Sequence, residues 1–212
     1  MIIAVDGPTA SGKGTIAKAL AAHFGLPHLD TGLLYRAVGR QMALNGGDPD
    51  SEADALAACA FPDSLLADPE LRSEEVGGLA SRVSVHPAVR GALYDRQRQF
   101  ALQPGGAVLD GRDIGTVIAP EAAVKLFVVA SVPARAERRF LEMQALGKDA
   151  SRTLIEADLA ARDIRDASRS AAPLLAAGDA IILDTSNLDA EAAIAAAIGM
   201  TDRQIERIRH SN

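Results

Sequence analysis

The sequence predicts an α/β protein with three layers, in which helices cover both faces of a central parallel sheet. Short apolar runs alternate with longer stretches of helical periodicity, the order that a parallel sheet requires. The runs are almost continuously apolar, as expected of strands buried on both faces. Five strands are predicted, over residues 2–5, 28–29, 107–109, 125–129 and 180–183.

Helical periodicity fills the intervals between these strands. The first predicted helix ends where Gly25 and Pro27 interrupt the pattern. A short polar helix is predicted at 201–209, near the C-terminus. The other predicted helices span residues 14–24, 33–44, 87–102, 133–146, 153–168 and 190–198.

The interval between the second and third strands is unusually long. It holds about seventy residues, far more than a crossover connection needs. We therefore predict one domain over residues 1–212, with an inserted subdomain over 45–91 that opens at an Asn-Gly-Gly-Asp-Pro turn. A helical lid is predicted over 147–171, between the fourth and fifth strands.

Composition narrows the class of protein. The 212 residues suffice for one substantial core, and with aromatics at 3% its packing falls to alanine and leucine. A net charge of −6 argues against a nucleic-acid partner, although local arginines can still hold a small anion. Cys59, the single cysteine, excludes a disulfide, and the four histidines lack metal-ligand spacing. With no signal peptide and no apolar stretch of membrane length, we expect a cytoplasmic protein without a membrane partner.

The most specific motif follows the first strand directly. Two glycines with four residues between them allow backbone angles closed to other residues, so amides can point at phosphate oxygens. The helix dipole adds to this attraction, and Lys13 supplies a charge for the terminal phosphates. An ordinary tight turn is the alternative, but strand, glycine spacing, lysine and helix onset agree on a phosphate-binding loop, or P-loop. Its residues are Gly7, Pro8, Thr9, Ala10, Ser11, Gly12, Lys13, Gly14 and Thr15.

One departure from the usual motif concerns the metal. Gly14 stands directly after the lysine, where serine or threonine is usual, and Thr15 follows it. This shift resembles nucleotide-phosphorylating kinases more than GTPases or motors. It leaves the direct contact of Thr15 to magnesium open.

Three further segments fall near the expected cleft. Residues 30–36 read Asp-Thr-Gly-Leu-Leu-Tyr-Arg, and their alternative reading is a capping threonine with a surface arginine. Residues 110–116 follow a buried strand, and an Asp-Gly turn with a local ion pair would explain them less well. Residues 162–169 lie in a helical pattern, where Arg162, Asp166 and Arg169 share one face with Arg165 beside them. A solvated helix with i,i+4 pairs is the alternative there.

Together these segments resemble bacterial cytidylate kinases over nearly the whole chain. Ser81, residues 89–90 and the Ala-Pro-Leu at 172–174 extend the likeness, which is weakest after Gly199. An adenylate kinase would be expected to carry Asp-Gly-Phe-Pro-Arg where residues 110–113 read Asp-Gly-Arg-Asp. The resemblance implies transfer of the γ-phosphoryl group of Mg·ATP to CMP or dCMP by a monomer.

The resemblance also implies a role for each matching position. ATP would bind at residues 7–15, and Mg²⁺ near Asp110 and Thr15, through water. Because cytosine offers an amino donor where uracil offers an oxygen, the Asp113 carboxylate would favour C over U. The implied catalytic residues are Lys13, Arg112, Arg162, Arg165 and Arg169. The implied CMP-binding residues are Thr31, Arg36, Ser81, Arg90, Arg112, Asp113, Arg162, Asp166 and Arg169.

Two rival functions remain open from the sequence. A P-loop kinase for another nucleotide or a metabolite hydroxyl would differ in its acceptor, and a hydroxyl would recruit Asp110 or Asp113 as a base. A GTPase switch is disfavoured because no Asn-Lys-x-Asp guanine motif occurs in the chain.

Overall fold

Five parallel strands form one sheet in the computed structural model, which describes residues 1–211. Their order across the sheet is β2-β3-β1-β4-β5, so β1 lies at the centre between β3 and β4. The strands are β1 Ile2–Asp6, β2 His28–Asp30, β3 Ala107–Gly111, β4 Val124–Val129 and β5 Ile181–Asp184. The predicted α/β class with a parallel sheet is therefore confirmed.

Eight α-helices complete the described part of the chain. They are α1 Lys13–Phe24, α2 Thr31–Leu44, α3 Glu52–Ala57, α4 Glu74–Val83, α5 Pro87–Ala101, α6 Val132–Ala145, α7 Arg152–Ser168 and α8 Ala190–Ser211. None of these helices, as far as residue 211, is both long enough and apolar enough to cross a bilayer.

Alternation along β1 builds a core on each face of the sheet. Ile3 and Val5 point to one face, where they pack with Leu20 of α1 and Ala197 of α8. Ala4 points to the other face, into a cluster that includes residues of α5 and of the turn after β3. The sheet is thus covered on both sides, which explains its nearly continuous apolar strands.

The C-terminal segment differs from its prediction as two separate helices. α8 runs without a break through Gly199. A glycine inside a helix costs about 1 kcal/mol relative to alanine. Packing offsets this cost, because Met200 and Ile205 lie partly buried against the sheet core.

The stretch predicted as an insert forms a third apolar cluster, separate from the two on the sheet. Its α3, α4 and early α5 residues, such as Val76 and Val89, pack with Leu34 and Met42 of α2. The predicted lid segment contains α7, which packs beside α6. The bounds of both units stay predictions.

Strand register brings the site together at one sheet edge. Asp30 of β2 lies beside Asp110 of β3, and Val5 of β1 lies beside Asp110 on the other side. All strands are parallel, so their carboxyl ends meet there: β1 and β3 continue into loops, and β2 leads directly into α2. Open α/β sheets bind their ligands at such an edge.

Candidate active site

The loop between β1 and α1 has the backbone that its glycines predict. Gly7 has φ 155°, and a Cβ there would lie 2.1 Å from the Val128 carbonyl oxygen. Gly12 caps α1 with φ 90°. Ala10 also has positive φ, 61°, a conformation that costs about 1–3 kcal/mol outside glycine. Such strain concentrates at ligand sites, in keeping with a loop shaped to hold an anion.

Lys13 opens α1 and points back over the loop. Its Nζ donates a hydrogen bond to the Pro8 carbonyl, 3.2 Å away. Burial, followed by the charge of Arg112, lowers the pKa of the Lys13 ammonium to about 8. The carboxylates of Asp110, Asp30 and Asp166 act to raise this pKa, and a phosphate beside Lys13 would likewise favour its charged form.

The loop opens into a cleft with about 950 Å³ of empty space. Six parts of the chain line it, namely the loop with the start of α1, the junction of β2 and α2, α4 with the residue after it, α5, the end of β3 with the two residues after it, and α7 with the residue after it. The lining residues that the sequence had predicted are Thr9, Ala10, Lys13, Gly14, Thr31, Arg36, Ser81, Arg90, Asp110, Arg112, Asp113, Arg162, Asp166 and Arg169. Asp30, Gly32, Tyr35 and Gly111 also line the cleft; they belong to the predicted segments 30–36 and 110–116 but had no assigned role. The lining residues that were not predicted are Gly77, Ala80 and Ser84.

Several predicted loop residues lie behind the cleft wall. Ser11 is buried, and its hydroxyl has no hydrogen-bond partner in the described residues. Thr15 is exposed on α1, away from the cleft lining. Arg165 also lies outside the lining, but its Nε donates to Ser81 Oγ at 3.2 Å. The remaining residues of the loop outside the lining are Gly7, Pro8 and Gly12.

Asp110 ends β3 at the floor of the cleft. Its Oδ1 lies 2.7 Å from His28 Nε2 on β2. Its Oδ2 would lie 3.6 Å from a Cβ at Gly14, so this oxygen faces the first turn of α1. No cluster of three or more His, Cys, Asp or Glu side chains suited to a metal occurs within residues 1–211. The geometry fits Mg²⁺ bound to phosphates, which takes one or two carboxylates and keeps several waters.

Two arginines converge on α4. A Cβ at Gly77 would lie 2.9 Å from Arg36 Nη2 and 3.1 Å from Arg162 Nη1. Arg36 Nη1 also donates to the carbonyls of Leu71 and Ser73, at 2.7 and 2.9 Å. Burial, followed by the charge of Arg162, lowers the pKa of Arg36 to about 10. Two like charges are thus held close together at the wall of the cleft, an arrangement that favours an anion beside them.

Asp113 lies two residues after β3 and lines the cleft. It is 4% exposed and accepts a hydrogen bond from Arg90 Nη2. The guanidinium of Arg90 lies over the Tyr35 ring, 5.5 Å from its centroid. Burial acts to lower the pKa of Arg90, but Tyr35 and Asp113 raise it above its usual value. This part of the cleft therefore combines the aromatic ring of Tyr35 with the carboxylate of Asp113, which Arg90 holds in place.

Arg112 and Asp166 join the loop to α7. Arg112 Nη2 donates to Thr9 Oγ1 at 2.6 Å, and its Nε donates to Asp166 Oδ2 at 2.8 Å. Asp166 also accepts from Arg169, which donates in turn to Ser84 Oγ at 2.9 Å. Burial acts to raise the pKa of Asp166, but Arg112 and Arg169 hold it below its usual value.

The surroundings contain charged residues that sequence reasoning missed. Glu74 at the start of α4 pairs with Arg139 of α6 and lies 3.6 Å from Arg162. Arg135 of α6 is buried, donates to the Thr9 carbonyl at 3.1 Å and pairs with Asp163 of α7. These contacts join residues far apart in the chain, so no local pattern reveals them.

A central strand that ends in a strained glycine loop, beneath an arginine-lined cleft, defines a P-loop phosphotransferase. A family model described as cytidylate kinase matches residues 3–203. The chain belongs to the cytidylate kinase family.

Curated relatives match almost the full chain. A cytidylate kinase from one strain of Rhodopseudomonas palustris is 57% identical over 203 residues, which cover 95% of this chain and 96% of the relative. A cytidylate kinase from Xanthobacter autotrophicus is 55% identical, covering 95% of this chain and 97% of the relative. A solved structure of an uncharacterised protein from Eubacterium ventriosum has a TM-score of 0.54 at 16% identity, covering 95% and 98% of the two chains. That last likeness concerns the fold alone.

Proposed function

We propose that this protein transfers the γ-phosphoryl group of ATP to CMP or dCMP, giving ADP and CDP or dCDP. One observation carries the proposal: a single cleft is lined by the phosphate-binding loop, by the Asp113–Arg90 pair and by further arginines. Two nucleotides placed head to head in such a cleft would bring their phosphates together. The family and its curated relatives support the same reaction.

The donor half of the site is the loop. Amides of residues 7–15 and the N-terminus of α1 would hold the phosphates of ATP, with Lys13 at the β- and γ-phosphates. The buried Ser11 hydroxyl, which has no partner in the described residues, supports an anion inside the loop. Magnesium, when bound, would supply positive charge that neutralises the donor phosphates. Asp110 is our candidate to hold its hydrated shell, while the exposed position of Thr15 supports at most a contact through water.

The acceptor half reads phosphate, sugar and base in turn. Arg36 and Arg112 would grip the acceptor phosphate, because a forked guanidinium matches its oxygens. Ser81, Arg162 and Asp166 would hold the sugar. Asp113 would accept from the cytosine amino group, with Thr31, Arg90 and Arg169 around the base.

Catalysis by this site is positioning and charge neutralisation. The attacking oxygen of CMP is already anionic, so no general base is required. Arg162, Arg165 and Arg169 on or just after α7 would close over the transferring group and exclude water, which limits ATP hydrolysis. We expect the active form to be a monomer, as the family resemblance implies. A reaction that consumes ATP and a nucleoside monophosphate supports a cytoplasmic location.

The test is ADP formation from Mg·ATP with CMP, dCMP, UMP, AMP, GMP and dTMP offered separately. We expect rapid turnover with CMP and dCMP, and slow turnover with the other four acceptors. Omission of Mg²⁺ should abolish turnover, and readdition should restore it. Tight ATP binding without turnover of any nucleotide would retain the phosphate loop and refute the cytidylate assignment.

A further inference from the structure

Asp6 is a buried carboxylate that the roles above leave unused. It ends β1, is 4% exposed and lies one residue before the phosphate-binding loop. Burial raises its pKa to about 6, against the opposing effect of two backbone hydrogen bonds. A charge buried at such cost is retained where it satisfies groups that nothing else reaches.

The carboxylate binds two consecutive backbone amides. Asp6 Oδ1 accepts from the Ile114 N–H at 2.9 Å, and Oδ2 accepts from the Gly115 N–H at 2.8 Å. Both of these residues are buried, so water cannot replace the acceptor. The two amides follow Asp113 directly in the chain. Asp6 thus holds the backbone immediately after the base-reading carboxylate.

The turn that begins at Asp113 has little other support at its start. Residues 114–118 form a single π-helical turn, and the Asp113 carbonyl accepts from the amides of Val117 and Ile118 at 2.8 and 3.1 Å. These two bonds hold the C-terminal part of the turn, at residues 117–118. The first two amides point the opposite way, toward β1, and Asp6 is their acceptor.

We infer that Asp6 is a positioning residue for acceptor recognition, because it fixes the turn that directs Arg112 and Asp113 into the cleft. Arg112 and Asp113 lie between the end of β3 and the amides that Asp6 holds, so both ends of their segment are anchored. The inference rests on the proposed function, since it assumes that this segment binds CMP.

The decisive variant is Asp6→Asn, which keeps the size of the side chain. An amide presents one oxygen and one N–H₂ group, so one of the two backbone amides would face a donor in place of an acceptor. A buried backbone N–H that loses its acceptor corresponds to a factor of about 5 to 150 in an equilibrium constant. We expect kcat/KM for CMP to fall within that range, mainly through a higher KM, and the preference for CMP over UMP to narrow. The KM for ATP should change less than about twofold.

Val108→Ala supplies the matched control. Val108 is fully buried in β3 beside β1, but its side chain packs on the opposite core and contacts neither amide. It should lower the melting temperature while leaving the KM for CMP and the CMP:UMP ratio at wild-type values. A purely structural role for Asp6 predicts the same pattern for Asp6→Asn.

The outcomes separate the two proposals. If the wild-type enzyme does not phosphorylate CMP, the proposed function is refuted. Wild-type enzyme that uses CMP, together with an Asp6→Asn variant of unchanged KM and ratio, refutes only the positioning role. An equal rise in the KM values for ATP and CMP also refutes it. If Asp6→Asn does not fold, Asp6→Glu decides by the same readouts, because it keeps the charge and moves it by one methylene.

Discussion

Replacing Asp113 with asparagine tests how the site distinguishes cytosine from uracil. The carboxylate is 4% exposed and paired with Arg90, itself 9% exposed. Alanine would leave that guanidinium buried without its counter-charge, at a cost of about 3–5 kcal/mol in stability. Asparagine is also neutral, but it keeps the shape and an oxygen that accepts from Arg90, so it should cost less stability than alanine and leave the effect on the base measurable.

The magnitude follows from the hydrogen bond that would be lost. A hydrogen bond to a charged group contributes about 1.5–3 kcal/mol, which corresponds to about 10- to 150-fold in kcat/KM. We expect a loss of this size with CMP and a smaller one with UMP, because the amide N–H₂ can donate to the uracil oxygen. The KM for ATP should stay within about twofold of wild type.

The assay is coupled ADP release at saturating Mg·ATP with CMP and UMP varied in turn. Asp63→Asn is the matched control, since Asp63 is an exposed acid that pairs with Arg96 outside the cleft. Equal losses with ATP and CMP, or an unchanged CMP:UMP ratio, would refute the role given to Asp113.

Three other perturbations probe the phosphate half. Gly77→Ala places a methyl group against two guanidinium groups, so it should raise the KM for CMP about 2- to 10-fold without lowering the melting temperature. Gly78→Ala is the control, because the space around its Cβ is open, and it should leave the KM for CMP unchanged. Equal KM values in the two variants would contradict this prediction. A pKa of about 8 means that Lys13 loses its proton between about pH 7 and 9, so ATP affinity by calorimetry should fall as pH rises, and Lys13→Met should remove that slope. Glu74→Gln removes a carboxylate that pairs with the cleft arginine Arg162. Because this carboxylate competes with nucleotide phosphates for Arg162, the variant should bind ATP or CMP about 2- to 5-fold more tightly. Weaker binding of both nucleotides would contradict this prediction.

The sheet could be predicted because its strands are short apolar runs between clear helix signals. β1 and β3 lie inside the sheet, and each is apolar up to the aspartate near its end. The interior of the insert was harder, since α3 has only six residues and several 3₁₀ turns follow it. Short elements of this kind take their conformation from packing against α2, which a local window does not contain.

The residues of the candidate site also differ in whether their role follows from local sequence or from a distant partner. Lys13 sits in a motif whose geometry is local, so its place at the cleft follows from the sequence. Gly77 reads as an ordinary helix glycine until Arg36 is seen against it, forty-one positions away in the chain. The pairing of His28 with Asp110 likewise depends on β2 and β3 being neighbours. Residues whose role comes from a distant partner are those that sequence reasoning leaves out.

The links between α7 and α4 are polar, and this has a thermodynamic consequence. Arg165 reaches Ser81, Arg169 reaches Ser84 and Arg162 lies near Glu74, so charged and hydroxyl groups span the contact. Separating such surfaces exposes little apolar area, and apolar exposure is what changes heat capacity on opening. For the proposed closure of α7 over the cleft, the enthalpy should therefore vary little with temperature, and the free energy should vary strongly with ionic strength.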